Sequence, residues 1–294
     1  MDNLTVDNLS ASGLFGVTNQ TALITECCSR TGRIIASTLV DNGAKVYLVS
    51  KDEVRLRESK HGQIHGELSG RGPGRCDYIV ADLESKQGCV ALCATLKERE
   101  SCLHILVNNS GATWGGYWDD FPKGPPSSDN SWDMELASHV KSLLYVTGGL
   151  TELLANAATV SLPGRIINVP SDILSQSCKT QTEADQVLSY DTHKSAVSHL
   201  TMVLSTSLSY KHLSVNAILP DITLATTSHS NGGANSDDEG SRYLDSVQDL
   251  AGVLLLLASP VGARITGARI ESEVTETHNV TRWWGQRRTG TSMI

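Results

Sequence analysis

The sequence predicts a doubly wound α/β fold, a parallel sheet of about seven strands with helices on both faces. Three observations carry this. Short apolar, β-branched runs alternate with longer helical patterns, the order that βαβ units require. The runs are apolar on successive residues, as strands covered on both faces must be. The chain of 294 residues is long enough, since α/β folds commonly build about 200–250 residues around one sheet.

Taken in order, strands are predicted at Thr21–Thr25, Lys45–Val49, Tyr78–Ala81, Leu103–Val107, Arg165–Val169, Ser214–Ile218 and Ala268–Glu271. The first helix follows Thr31 and runs to about Val40. It ends near Asn42-Gly43, where glycine supplies a left-handed cap. Further helices are predicted at Ser85–Arg99, Ser131–Ala157, Tyr190–Lys211 and Ser246–Ala258, while the polar stretches His61–Arg75 and Thr226–Ser241 read as loops. The organisation that follows is an N-terminal extension over 1–16, one domain over 17–274 and a tail over 275–294. There is no internal repeat.

Composition excludes several function classes. With 24 basic against 32 acidic residues, the net charge of −8 disfavours a nucleic-acid binder and suits a protein of small-molecule chemistry. No stretch approaches the roughly 18 apolar residues of a membrane span, and the opening MDNLTVDNLS is unlike a leader, so no membrane partner and a cytoplasmic location are expected. Seven scattered cysteines fit reduced thiols. Cys89 and Cys93 lie four apart on a helix, but no second pair or histidine stands at zinc spacing, so they read as buried thiols and no metal is expected.

Several motifs then fall in a fixed order. Ala22–Ala36 forms a strand, turn and helix; Ala81-Asp82-Leu83 follows the third strand; Asn108-Asn109-Ser110-Gly111 follows the fourth; Ser171 follows the fifth; and Tyr190 precedes Lys194 by four. Over roughly Val17 to Glu273 the chain resembles the short-chain dehydrogenase/reductase family, and within it the branch that reduces β-keto thioesters and related carbonyls. The resemblance implies a Rossmann-type fold, with Ala22–Ala36 at the TGxxxGxG cofactor loop, Asn108–Gly111 at the NNAG motif and Tyr190–Lys194 at the YxxxK pair.

Residues four apart share a helix face, so the Lys194 ammonium favours the Tyr190 phenolate and fits the tyrosine for general acid or base work. Ser171 could donate to the same substrate oxygen. Arg30, Gly32, Ser50, Lys51, Asp82, Asn108, Ser110 and Gly111 are the implied cofactor positions. Lys51, basic where an acidic residue would hold a ribose, suggests NADP rather than NAD, although the same lysine reads equally as a solvated turn residue. Trp114, Tyr117, Trp118, Asp221 and His193 are candidates for a substrate pocket at the carboxyl edge of the sheet.

The departures from the family pattern cluster. Of three loop glycines only Gly32 remains; Glu26 and Arg30 occupy the other two positions, with Cys27 and Cys28 between them. Glu26 sets a negative charge and a Cβ where phosphates meet the positive end of a helix, and Arg30 could offset part of that by pairing with a phosphate. Asp221 and Pro170 stand at two glycine positions. His139 takes the place of the asparagine of the catalytic tetrad, either relaying protons or filling the space as a bonded core histidine. The stretch SQSCKTQTEAD lengthens the connection from Ser171 to Tyr190.

Three readings result. In the first, Ser171, Tyr190 and Lys194 drive a non-redox isomerisation, dehydration or cyclisation of a carbonyl or hydroxyl substrate, with dinucleotide binding impaired; the altered loop puts it first. Second comes an NADPH-dependent ketoreductase. Third is a catalytically silent partner subunit. A homodimer or homotetramer is expected from the resemblance in each case.

Overall fold

The computed structural model describes residues 9–57, 68, 70, 72–110, 136–170, 181–220 and 236–272, and of 181–193, 236–246 and 272 the backbone alone. Seven parallel strands run β1 Thr21–Ile24, β2 Lys45–Ser50, β3 Arg75–Val80, β4 Ile105–Asn109, β5 Gly164–Val169, β6 Leu213–Pro220 and β7 Arg269–Ser272. Their order in the sheet is β3-β2-β1-β4-β5-β6-β7. The chain therefore reverses its winding between β1 and β4, and the crevice at the carboxyl ends of those two strands is where such a sheet receives a ligand.

Alternation along the strands divides the core. Ala22, Ile24, Val46, Leu48, Ile105 and Val107 face one layer, filled by helices α2 (Arg30–Asp41) and α7 (Ser236–Ala258). Leu23, Tyr47, Val49, Leu106, Ile166 and Val215 face the other, covered by α4 (Lys86–Arg99) and α5 (Ser142–Ala157). A short α1 (Ala11–Phe15) packs near the end of α7, so this part of the segment read as an extension is docked on the domain. Another short helix, α3 (Glu53–Arg57), follows β2.

Local chemistry explains the ends of α2. Ser29 caps it, its hydroxyl accepting from the Gly32 N–H. At the far end Gly43 takes φ 92°, and a Cβ there would meet Thr18 Oγ1 at 2.7 Å, as the Asn42-Gly43 ending predicts. Arg165, 1 % exposed, ties three segments together: its guanidinium donates to the carbonyls of Ala258 and Pro163 and to the Gln20 side chain. Burial lowers its pKa to about 10, which still leaves it charged at neutral pH.

All seven predicted strands are present, with ends moved by a few residues. β3 begins at Arg75 rather than Tyr78 because pairing with β2 holds its polar first half, Lys45 opposite Arg75 and Tyr47 opposite Asp77. Two helices begin earlier than expected. Helix α6 (Gln181–Ser207) starts nine residues before Tyr190, so the inserted stretch is helical from Gln181. Helix α7 starts at Ser236, turning the end of the predicted loop Thr226–Ser241 into helix. In both, acidic residues fall within the first turns, where negative charge suits the helix dipole (Glu183 and Asp185; Asp237, Asp238 and Glu239). The helix predicted from Ser131 is described from residue 136, and it opens with a π-helical turn, Ala137–Lys141. The tail over 275–294 lies outside the described residues.

Among the described residues no helix is long and apolar enough to cross a membrane. Leu150, fully buried between α5 and the sheet, tests that layer: Leu150→Ala should cost about 2–5 kcal/mol. Urea unfolding would read this as a lower midpoint with unchanged slope.

Candidate active site

β1 ends at Ile24, and Thr25–Ser29 turn the chain into α2. This turn is tied to the neighbouring strand ends from two sides. Thr25 Oγ1 donates to the Asn109 carbonyl at 2.8 Å and accepts from the Asn109 N–H at 2.9 Å. The Asn109 side-chain amide donates back to the carbonyls of Thr25 and Glu26 at 3.3 and 2.9 Å and contacts Ser29 Oγ at 3.1 Å. On the other side the Cys27 N–H donates to the Val49 carbonyl at 3.1 Å.

Glycine survives where space demands it. A Cβ on Gly32 would lie 2.7 Å from Cys27 Cα and 2.7 Å from the Glu26 carbonyl oxygen, so α2 can approach the turn this closely only at glycine. Glu26 takes φ 46°, the left-handed region that a glycine would enter without cost. The glutamate thus occupies the glycine position in a glycine's conformation, and Arg30 begins α2 as an exposed residue.

Electrostatics of the turn differ from the sequence-based expectation. Burial, opposed by Lys51 and reinforced by Cys28, Glu84 and Asp82, raises the Glu26 pKa to about 7. Glu26 therefore bears only part of a negative charge at neutral pH. Lys51, at the end of β2, pairs with Glu84 at 2.5 Å, and that partner raises its pKa. Ser50 is buried beside it, accepting from the Asp52 N–H, and exposed Asp82 accepts from the Glu84 N–H. Arg55, which sequence reading passed over, extends its guanidinium to the Cys28 carbonyl at 2.9 Å. The signal available was a second basic residue four positions past Lys51.

Across the crevice, β4 and β5 present a line of buried amides. Asn108 donates to Thr147 Oγ1 at 3.1 Å and Asn168 Oδ1 at 2.9 Å; Asn168 donates to Thr201 Oγ1 at 2.9 Å. This line joins β4, β5, α5 and α6. Ser110 closes the end of β4, its N–H donating to the Val169 carbonyl at 3.1 Å. A cleft opens there, lined among others by Thr25, Asn108, Asn109, His139, Pro170 and Val197. The Oδ1 atoms of Asn108 and Asn109 are buried and make no hydrogen bond within the described structure. A buried acceptor of that kind calls for a donor.

His139, 4 % exposed, sits in the π-helical turn and lines this cleft. Positions 190, 194 and 197 fall on one face of α6 by helical spacing. Of these, Val197 lines the cleft and Lys194 is half-buried. The structure therefore brings Arg30, Gly32, Ser50, Lys51 and Asp82 to one side of the crevice and Asn108, Ser110, His139 and Val197 of α6 to the other. Gly111, Trp114, Tyr117, Trp118, Ser171 and Asp221 lie outside the described residues, as do the side chains of Tyr190 and His193. Cys89 and Cys93 are buried on α4, and no cluster of three metal-ligating residues occurs among the described residues.

Comparison with known proteins agrees with this architecture. The short chain dehydrogenase family model matches residues 20–236. The rhamnolipids biosynthesis 3-oxoacyl-[acyl-carrier-protein] reductase of Pseudomonas aeruginosa is 27% identical over 259 residues, covering 86% of this chain and 94% of that protein. Oxidoreductase UcpA of Escherichia coli is 30% identical over 210 residues, 69% of each chain. Among solved structures, the Pseudomonas aeruginosa RhlG/NADP active-site complex superposes with a TM-score of 0.67 at 25% identity, covering 88% of this chain and 96% of that one. A hydroxysteroid dehydrogenase of Escherichia coli shares the fold with a TM-score of 0.69 at 22% identity, covering 87% and 96%. The chain belongs to the short-chain dehydrogenase/reductase family.

Proposed function

We propose that this protein is an NADPH-dependent ketoreductase acting on a β-keto thioester or a related carbonyl. The observation that carries the reading is the shape of the β1–α2 turn: Glu26 stands at φ 46° with Gly32 packed against its carbonyl. At position 26 the left-handed backbone that a glycine enters without cost is present although a glutamate stands there, and Arg30 opens α2. The reading that sequence alone placed first, a non-redox isomerase, lyase or cyclase, rested on the altered loop, where the Glu26 charge repels phosphates and its Cβ excludes them. A carboxyl group with a pKa of about 7 weakens that argument. The similarity weighs the same way, since the Pseudomonas aeruginosa relative is named as a 3-oxoacyl reductase and the RhlG structure from that organism is an NADP complex.

Residues present fit such a cofactor. The α2 N-terminus and Arg30 would receive the pyrophosphate, and Lys51 with Arg55 would favour a 2′-phosphate. Asn108 and Asn109 offer buried acceptors at the cleft. When bound, NADPH would supply the hydride that reduces the carbonyl carbon. Tyr190 gives its phenolic proton to the carbonyl oxygen, and the Lys194 ammonium, one turn on, favours the phenolate left behind. Ser171 donates a hydrogen bond to the same oxygen. His139, buried at the cleft, would return a proton toward Lys194.

Titration with NADPH, read by calorimetry and by the rise in thermal midpoint, tests the proposal directly: micromolar binding is expected, and none at millimolar cofactor would overturn it. Tyr190→Phe should lower kcat on a β-keto substrate by about 100-fold or more while the thermal midpoint holds. Unchanged turnover would remove Tyr190 from the mechanism.

Glu26 makes the affinity depend on pH. Below about pH 7 its carboxyl group is mainly neutral, and above it the negative charge develops among Lys51, Cys28, Glu84 and Asp82. Relative to Glu26→Gln, wild-type affinity for NADPH should therefore fall as pH rises from 6 to 8. A raised folded-state pKa also means that the stabilisation is complete below 4.5 and lost as pH passes 7. The thermal midpoint of wild type should consequently drop across that window more than that of Glu26→Gln.

A further inference from the structure

A buried polar line links the ends of two strands to the helix that carries positions 190 and 194, and no step of the proposed reduction uses its far end. Asn108 of β4 and Asn168 of β5 stand opposite each other in the parallel pair, each the last residue but one of its strand. Asn108 Nδ2 donates to Asn168 Oδ1 at 2.9 Å and to Thr147 Oγ1 of α5 at 3.1 Å, and Asn168 Nδ2 donates to Thr201 Oγ1 of α6 at 2.9 Å. Asn168 and Thr201 are both buried.

The line has one direction. The Thr201 hydroxyl has a single proton, which goes to the Val197 carbonyl at 2.8 Å. Thr201 Oγ1 can therefore only accept from Asn168, whose Oδ1 is left to accept from Asn108. Asn108 in turn presents its own Oδ1 at the cleft. Neither amide can turn over without setting two acceptors face to face, so both side chains are held in one orientation.

Positions 194, 197 and 201 follow one stripe of α6. Lys194 is half-buried, Val197 lines the cleft, and Thr201 takes the bond from β5. Thr201 lies two turns past Lys194, about 10 Å along the helix axis. Apolar packing is non-directional and lets a helix slide over a sheet, whereas a hydrogen bond from a strand end sets the helix in depth and in register.

We propose that Asn168 and Thr201 are positioning residues for the acid-base pair: the bond between them sets where Lys194, and with it position 190, stands relative to the ends of β4 and β5. This rests on the ketoreductase reading above, in which Tyr190 gives the proton and Lys194 supports it. Neither residue touches the substrate, and both act through α6.

Thr201→Val in the full-length protein tests this, since it keeps the shape of the side chain and removes the hydroxyl. With NADPH and acetoacetyl-coenzyme A as the β-keto thioester, kcat should fall by about 10- to 100-fold while KM and the affinity for NADPH hold. Thr201→Ser, which keeps the hydroxyl, should rescue turnover. Because the Lys194 ammonium favours the phenolate, the ultraviolet titration of Tyr190, read as the difference between each protein and its Tyr190→Phe counterpart, should move to higher pH in Thr201→Val. That variant also leaves the buried Asn168 amide without its acceptor, which lowers the thermal midpoint. In the double variant Asn168→Leu with Thr201→Val, donor and acceptor of the bond go together, so the midpoint should recover while kcat stays low. Recovery of both would show a role in stability alone and overturn the proposal, as would a Thr201→Val protein with wild-type kcat and an unmoved Tyr190 titration. Should Thr201→Val not fold, the double variant carries the same comparison. If the ketoreductase reading is the one that fails, wild type binds no NADPH, and the tyrosine titration, which needs no cofactor, still decides whether Thr201 sets the pair.

Discussion

The Asn109 side chain is the interaction on which the rest of the crevice depends. Its amide reaches the carbonyls of Thr25 and Glu26 and the Ser29 hydroxyl, so the end of β4 fixes the turn leaving β1 at the point where the sheet reverses its winding. The magnitudes favour this clamp. A side chain in left-handed backbone costs about 1–2 kcal/mol, whereas each hydrogen bond is worth about 0.5–1.5 kcal/mol. Three such contacts, with the Thr25 pair beside them, are enough to hold Glu26 in a conformation it would not otherwise choose. Gly32 then supplies the remaining requirement, the absence of a Cβ at 2.7 Å from the turn.

That division of labour accounts for a turn that holds left-handed backbone at position 26 with a glutamate in it. A glycine in such a turn can serve conformation, close approach or both. At position 32 close approach decides, and no other residue fits. At position 26 conformation decides, and a strong enough external brace admits a side chain. The new carboxyl group is half-buried near Asp82, Glu84 and the Cys28 thiol, and that burial together with those neighbours keeps it partly protonated. A substitution that looks prohibitive as a charge on the sequence becomes tolerable once its surroundings set its ionisation.

Much of the fold was legible because covered parallel strands must be apolar on both faces, and Thr21–Ile24, Ile105–Val107 and Arg165–Val169 read so directly. Boundaries set by partners were less visible. Arg75, Cys76 and Asp77 become strand through pairing with β2, and nothing local in them demands it. Helices α6 and α7 begin in polar, acidic sequence that reads as loop but suits a helix start. At the site, the positions of Gly32, Lys51, Asp82, Asn108 and Lys194 followed from motif spacing. The Asn109 clamp, the Asn168 and Thr201 links and Arg55 did not, because each is a contact across 27 to 84 residues of chain. The ionisation of Glu26 is likewise a property of its neighbours in space.

Two polar systems with different tasks meet at this crevice. On the β2 side, Lys51, Arg55, Glu84 and Glu26 form a charged rim whose balance changes near neutral pH. Toward β5, Asn108, Asn168, Thr147 and Thr201 form a neutral, buried line that changes little with pH and fixes α6 relative to the strands. Under the proposed function α6 carries the acid-base pair, and such a helix needs the second kind of support, since a shift of about 1 Å in the reacting groups can cost about 100-fold in rate. A site for a charged ligand needs the first, because its groups must respond to the ligand's own charge. Asn108 and Asn109 are adjacent on β4, and their side chains serve one system each: Asn108 locks the helix side and Asn109 the turn. Neighbouring strand residues point to opposite faces, so a single step along β4 is sufficient to separate the two tasks.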